Sequence, residues 1–211
     1  ADAFINMMAL LGWNPGTEQE IFTQEQLSEA FDLEKVGKSG SKFDPEKTKW
    51  FNHQYLVQKS DEELANLYNI ILKGKGLSVD IEKIVKVVAL IKERATFVSD
   101  FWEHSSFFFE APKEYDDKMV KKAWKEETAQ HLTNFIAILQ KIDDFNSANI
   151  EQITKNWLEE IELGIGKLMT PMRLALVGEG KGPHLFDIIE FIGKEETVKR
   201  INLAVGKLNN L

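Results

Sequence analysis

The sequence contains no cysteine, which removes disulfides, thiolate metal sites and cysteine nucleophiles together and suits a reducing compartment. Arginine is nearly as scarce. Of 26 basic residues only Arg94, Arg173 and Arg200 are arginines, the rest being lysines spread along the chain. Arginine's planar fork recognises flat edges and oxyanions in a way that lysine's point charge does not, so each of the three invites a question, with a surface ion pair or helix cap as the ordinary answer. Positive charge is not in excess either. A net charge of −8 argues against wholesale capture of polyanions or an anionic membrane, and leaves room only for a local nucleic-acid contact. No apolar run approaches the ~18 residues that cross a bilayer. The N-terminal ADAFINMMALLGW carries an acid where a signal peptide has basic residues, so the expectation is a soluble, cytoplasmic chain with neither span nor leader.

Signs of catalysis are missing as well. His53, His104, His131 and His184 are scattered, with no pair one helical turn apart and no HExxH, which disfavours a zinc site. There is no GxSxG nucleophile elbow. The glycine-rich stretches KGKG (73–76) and GEGKG (178–182) lack P-loop spacing and follow no strand. Adjacent acids such as Asp116 and Asp117, Asp143 and Asp144, or Glu195 and Glu196 face different ways on a helix and read as solvated surface. The residues alone display no active site, and no metal or cofactor is expected.

What the sequence does contain is helix. Its 211 residues, 43% hydrophobic and 28% charged, are enough for one large domain or two small ones, each with a real core. Thr23 with Gln26 and Ser60 with Glu63 form capping boxes that open short helices. The apolar residues Ile81, Ile84, Val85, Val88 and Ile91 fall three or four apart, and so do Leu132, Phe135, Ile136, Leu139 and Ile142, then Ile150, Ile153, Trp157 and Ile161. No segment alternates with period two between hairpin dipeptides, so the fold is all-α. Breaks are expected at NPG (14–16), GKSGS (37–41), KGKG (73–76), EAPKEYDD (110–117) and GEGKG (178–182), the last between two apolar helices.

One stretch is unusually dense. In KFDPEKTKWFNHQYL (42–56), Asp44 suits an N-cap and Pro45 the first helical position, so a helix begins there and reaches about Leu56. Phe51 and Tyr55 lie one turn apart and read as core against a neighbouring helix. Lys49, Asn52 and His53 are not explained by packing.

That stretch, with LLGWNPGTEQEIFTQEQLSEAFDLEKVGKSGS before it, resembles the region after the catalytic domain of bacterial glutamyl-tRNA synthetases. The far end, MTPMRLALVGEGKGPHLFDIIEFIGKEETVKRI, resembles the same family's C-terminal segment: Pro-x-Arg-x-Ala-Leu-x-Gly, then Gly/Ser-Pro-x-Leu-Phe, then Leu/Ile-Gly-Lys-Glu. The resemblance implies a C-terminal fragment that is inactive alone, because the HIGH and KMSKS-like motifs that bind ATP and activate glutamate in the complete enzyme, with Mg, are not in these 211 residues. It also implies an organisation: the end of the catalytic side and a stem-contact region over 1–60, a first helical anticodon-binding subdomain over 61–145 and a second over 146–211. An all-helical anticodon region points to the bacterial type.

The same resemblance suggests site residues. Lys42, Lys47, Lys49 and Asn52 would meet phosphate or ribose at the inner corner of the tRNA. Arg173 and the loop Gly182, Pro183, His184, Leu185 and Phe186 would surround the first two anticodon bases, although Leu185 and Phe186 also read as plain core, and His184 stands where the family has a small residue. Arg94 would face the third base and select cytosine, whose pairing edge offers acceptors to a donor-only guanidinium, against guanine. The competing reading makes Arg94 a helix cap paired with Glu93. The partner is then tRNA-Glu rather than DNA or a membrane, with the fragment a monomer. A different class of function, an all-α protein-interaction domain with no nucleic-acid role, is the alternative.

Overall fold

A computed structural model of the chain describes residues 2–38, 40 and 42–209, so Ser39 and Ser41 of the break expected at 37–41 lie outside the described residues. Among the described residues there is no strand, only an isolated bridge between Trp13 and Val36, and the chain is all-α. The helices in chain order are α1 (Asp2–Leu10), α2 (Gln24–Ala30), α3 (Pro45–Gln58), α4 (Asp61–Gly74), α5 (Ile81–Ile91), α6 (Phe101–Phe109), α7 (Asp117–Ala123), α8 (Thr128–Gln140), α9 (Ser147–Glu160), α10 (Gly166–Val177) and α11 (Leu185–Leu208). The chain divides into two compact units, Ala1–His104 and Ser105–Leu211, with the boundary inside α6.

Local chemistry accounts for the helix starts. Both capping boxes form, Thr23 with Gln26 and Ser60 with Glu63, each satisfying two orphan N–H groups reciprocally. The second opens a helix of 14 residues, longer than its capping signal alone suggests, because α4 buries Leu64, Ala65, Tyr68 and Leu72 as a continuous stripe. Asp44 caps α3 by accepting from the backbone N–H groups of Glu46 and Lys47 at 2.9 and 3.3 Å, with Pro45 in the first position.

In the first unit, α1 packs on α3 through Ala3, Met7 and Phe51, with Leu10, Ile21 and Tyr55 at the margin. A smaller cluster of Trp13, Phe22 and Leu27 lies under the 11–23 loop and α2. The two are tied by a polar knot. Buried Asn6 accepts from the Phe22 N–H at 2.8 Å, and the Tyr55 hydroxyl lies 2.7 Å from Asn6 Oδ1 and 2.5 Å from the Phe22 carbonyl, donating its single proton to one of them at a time. Burial raises the Tyr55 pKa. The helical pair α4 and α5 buries Ile84, Val87, Val88 and Ile91 against the α4 stripe, and the Tyr68 and Phe101 rings meet edge to face at 5.4 Å.

The second unit is built around α11, which packs on α8, α9 and α10. Gly193 interrupts α11 with φ 81° and ψ 168°, a conformation open only to glycine. Just past the break, Lys194 donates to the carbonyls of Ile142 at 2.5 Å and Gln140 at 3.4 Å, so it caps the end of α8. Arg200 is 2% exposed. Its Nε donates to Glu196 at 2.8 Å, and its Nη1 donates to the carbonyls of Phe107 at 2.5 Å and Leu176 at 3.2 Å. One guanidinium thus caps the last turns of α6 and α10, satisfying carbonyls that their own helices leave open.

Candidate nucleic-acid interface

Arg94 closes a single 3-10 turn, Lys92–Arg94, that continues α5. The backbone after it is held from two directions. From α3, the Asn52 amide donates to the Thr96 carbonyl and the His53 Nδ1–H donates to the Ala95 carbonyl at 2.8 Å, which fixes His53 with its Nδ1 protonated. From below, the Asp100 carboxylate accepts from the N–H groups of Thr96 and Phe97 at 3.0 and 2.8 Å. An ion pair between Lys92 and Asp61 at 2.7 Å, both largely covered, fixes the turn to α4. Four side-chain hydrogen bonds on three residues, each of about 1 kcal/mol net, make this a rigid mount. The Arg94 side chain itself is exposed. Among the described residues it makes no ion pair, and none forms with Glu93.

The same bonds answer what Asn52 and His53 do in their dense stretch: they hold the Arg94 turn. The Asn52 amide is therefore committed inward. Lys47 is ion-paired with Glu20 at 2.6 Å and sits 5.7 Å from the Phe51 ring centre, while Lys49 pairs with Glu46 at 2.8 Å. Both pairs are well exposed, and their mutual hold is weak enough for phosphate to compete. Lys42 and Lys47 line one rim of a groove of about 280 Å³ whose floor is Met7, Leu10 and Phe51.

In the second unit, Arg173 of α10 and the loop entering α11 come together. A Cβ built on Gly182 would lie 2.9 Å from Arg173 Nη1, and the glycine has φ 147°, so the absence of a side chain there is what lets the guanidinium approach the loop. Pro183 is buried, and Leu185 and Phe186 are each 1% exposed. These last two are core, and they anchor the first turn of α11 instead of offering a surface. His184 sits at the N-cap with no capping bond of its own side chain. Its half-exposed ring lies 3.4 Å from Glu151 of α9 and 3.5 Å from Asp187 of α11. The Glu151 pKa is lowered, first by the hydrogen bond from Lys155. Asp187 and Glu190 also accept from the Ser147 hydroxyl and N–H at 2.5 and 2.7 Å, joining the starts of α9 and α11.

Asp100 was not singled out from the sequence. Only half of a capping box forms there, the Asp100 carboxylate accepting from the Phe97 N–H, because phenylalanine has no side-chain acceptor to complete it and so announces no box in the sequence. Lys194 carries no local signal, because its partners are 52 and 54 positions away, and for Arg200 only the Glu196 pair one turn earlier is local, the two carbonyls it caps being distant in the chain.

The sequence model of the anticodon binding domain family matches residues 53–205. Glutamate–tRNA ligases of Flavobacterium johnsoniae and Phocaeicola vulgatus are 56% and 48% identical to this chain over 98% of its length. The crystal structure of a glutamate tRNA ligase from Elizabethkingia meningosepticum superposes with a TM-score of 0.94 at 44% identity, again over 98% of this chain. The chain spans about 41% of the length of these relatives. With the family's model covering 53–205, the chain belongs to the anticodon binding domain family.

Proposed function

We propose that the chain is the part of a bacterial-type glutamate–tRNA ligase that reads the anticodon of tRNA-Glu. In this reading the complete enzyme activates glutamate with ATP and Mg and charges tRNA-Glu in the cytoplasm. Residues 1–60 belong to the stem-contact side, 61–145 to a first anticodon-binding subdomain and 146–211 to a second. The fragment binds tRNA, not DNA, as a monomer and is inactive alone. Lys42, Lys47 and Lys49 contact phosphate or ribose, while Asn52 holds the Arg94 turn from beside them. Arg173 and the Gly182–Pro183 backbone meet the first two anticodon bases, with Leu185 and Phe186 beneath. Arg94 meets the third.

The observation that carries this is the mounting of Arg94: an exposed guanidinium, without an ion pair among the described residues, on a backbone fixed by Asn52, His53 and Asp100. A cation meant for an intramolecular salt bridge needs no such mount, whereas a base-reading donor needs both freedom and position. Filter binding at moderate salt tests the reading. The chain should retain tRNA-Glu over a tRNA with an unrelated anticodon, and equal retention of both would contradict it.

A further inference from the structure

About half of the lysines in this acidic protein are engaged, while Lys38, Lys42, Lys73, Lys83, Lys86, Lys141 and Lys167 pair with no carboxylate among the described residues. Lys47, Lys49, Lys59, Lys92, Lys155 and Lys199 pair with carboxylates, and Lys194 and Lys207 donate to backbone carbonyls. The short helix α7 gathers three such unpaired lysines within five residues. Its sequence DKMVKKA turns Met119, Val120 and Ala123 inward, while Lys118, Lys121 and Lys122 are exposed and, among the described residues, pair with no carboxylate. The spacing puts Lys118 one turn before Lys121 and Lys122, on one face. Lys125 extends that face by donating to the Lys121 carbonyl at 2.8 Å. The acid that opens the helix, Asp116, is occupied as the N-cap, accepting from the N–H groups of Lys118 and Met119 at 2.8 and 3.0 Å. Asp117, Glu114, Glu126, Glu127 and Glu179 are the exposed acids nearest in sequence, and none of them pairs with these lysines among the described residues.

The helix that carries these lysines is held through Asp116 and the inward-turned Met119 to the loop that leads to Gly182. The Asp116 N–H donates to the Gly178 carbonyl at 2.9 Å, and a Cβ on Gly180 would lie 2.7 Å from the Met119 side chain. Lys181, exposed and also unpaired among the described residues, sits on that loop next to Gly182. Unpaired ammonium groups on α7 therefore flank the segment proposed above to meet the anticodon.

We propose that Lys118, Lys121 and Lys122 of α7, with Lys181, form a contact surface for the sugar–phosphate backbone of the tRNA stem adjoining the anticodon. The proposal rests on the anticodon-reading function. Closely spaced like charges repel, so leaving them unpaired is unfavourable in the free protein and is relieved when a polyanion meets them. Lysine, a mobile point charge with three donors, suits phosphates whose positions vary with sequence, and contacts of this kind position the RNA without reading it.

The test is tRNA binding by the full chain across a salt series, comparing the parent with a Lys118→Gln, Lys121→Gln, Lys122→Gln, Lys181→Gln variant. A matched control carries Lys73→Gln, Lys83→Gln, Lys86→Gln and Lys167→Gln. The α7 variant should bind tRNA-Glu and unrelated tRNA more weakly by the same factor. Its slope of log affinity against log salt should flatten by about 0.9 for each phosphate that the variant no longer neutralises. The preference for the tRNA-Glu anticodon should stay as in the parent, and the control should keep the parent slope. An unchanged slope in the α7 variant, or equal flattening in the control, would overturn the surface and leave the anticodon reading standing. If the parent itself does not prefer tRNA-Glu, the function falls first and takes this surface with it.

Discussion

His53 on α3 donates its Nδ1 proton to the carbonyl of Ala95 at 2.8 Å, and this one bond connects α3 to the residue following Arg94. Asn52 repeats the connection one residue along, at Thr96. A base-reading arginine is only as selective as its backbone is still, because a guanidinium free to shift by an ångström also accommodates the wrong edge.

Asn52→Ala and His53→Ala should therefore act on specificity from a distance. Each leaves a partly buried carbonyl short of a donor and should cost about 1–3 kcal/mol of stability. Amide exchange at Thr96 and Phe97 should quicken, and the preference among third anticodon bases should narrow while total tRNA affinity changes little. Base preference equal to the parent's in both variants would show that α3 has no part in positioning Arg94.

Gly182 and Arg173 should behave as a unit. A methyl group on Gly182 meets Arg173 Nη1 at 2.9 Å and imposes φ 147° on an L-residue, which costs about 1–3 kcal/mol where it cannot relax. Gly182→Ala should weaken tRNA-Glu binding nearly as much as Arg173→Ala, and the double variant should be no worse than either. Additive losses in a binding cycle would separate the two residues.

The starts and stops of helices were legible in the sequence because they depend on neighbours: both capping boxes, Asp44 with Pro45, and the turn at 178–182 all form as their residues suggest. The buried face of α9 was less so. Ile153, Trp157 and Ile161 form the expected stripe with Ile150, but the residues that join Ile150 in the core are Thr154 and Leu158, and Ile161 is 42% exposed. Thr154 passes as polar in a pattern search, yet its hydroxyl is satisfied by the Ile150 carbonyl at 2.6 Å and its methyl packs inward. For the candidate site, the residue types that could meet RNA were visible, but not their supports. Asn52 and His53 lie 44 and 42 positions from the carbonyls that they hold, and no local spacing announces such a pair.

Arg200 should be the costliest of the three arginines to remove. Arg200→Met keeps much of the buried volume but leaves the Phe107 and Leu176 carbonyls and the Glu196 carboxylate without their donor, a loss of about 3–5 kcal/mol. Urea unfolding followed by tryptophan fluorescence would measure it, and a loss below about 1 kcal/mol would mean that water or another side chain replaces the guanidinium.

Acid should weaken the same junction. Burial works to raise the Glu196 pKa, but hydrogen bonds and charge from Arg200 and Lys199 outweigh it and hold the carboxyl below its ordinary 4.5. A carboxylate lowered on folding contributes stability that is complete above its unfolded pKa and is lost as pH falls through the lowered folded value. Glu196→Gln should thus be less stable than the parent by a constant margin at neutral pH, and the margin should shrink at pH below about 4.5. A margin independent of pH down to acid unfolding would assign the effect to shape, not charge.

The central claim is that Arg94 reads the third anticodon base, and one comparison tests it most directly. Arg94→Gln and the parent chain are titrated with tRNAs that differ only at that base, cytosine in one and guanine in the other. The parent should prefer cytosine by ~1–3 kcal/mol, the discrimination typical of one good base contact. Glutamine, which can both donate and accept, should erase most of that preference with a modest loss of affinity for cytosine and an unchanged fold by circular dichroism. If the variant keeps the parent's preference, Arg94 is not the reader and its mount serves the packing of the unit alone.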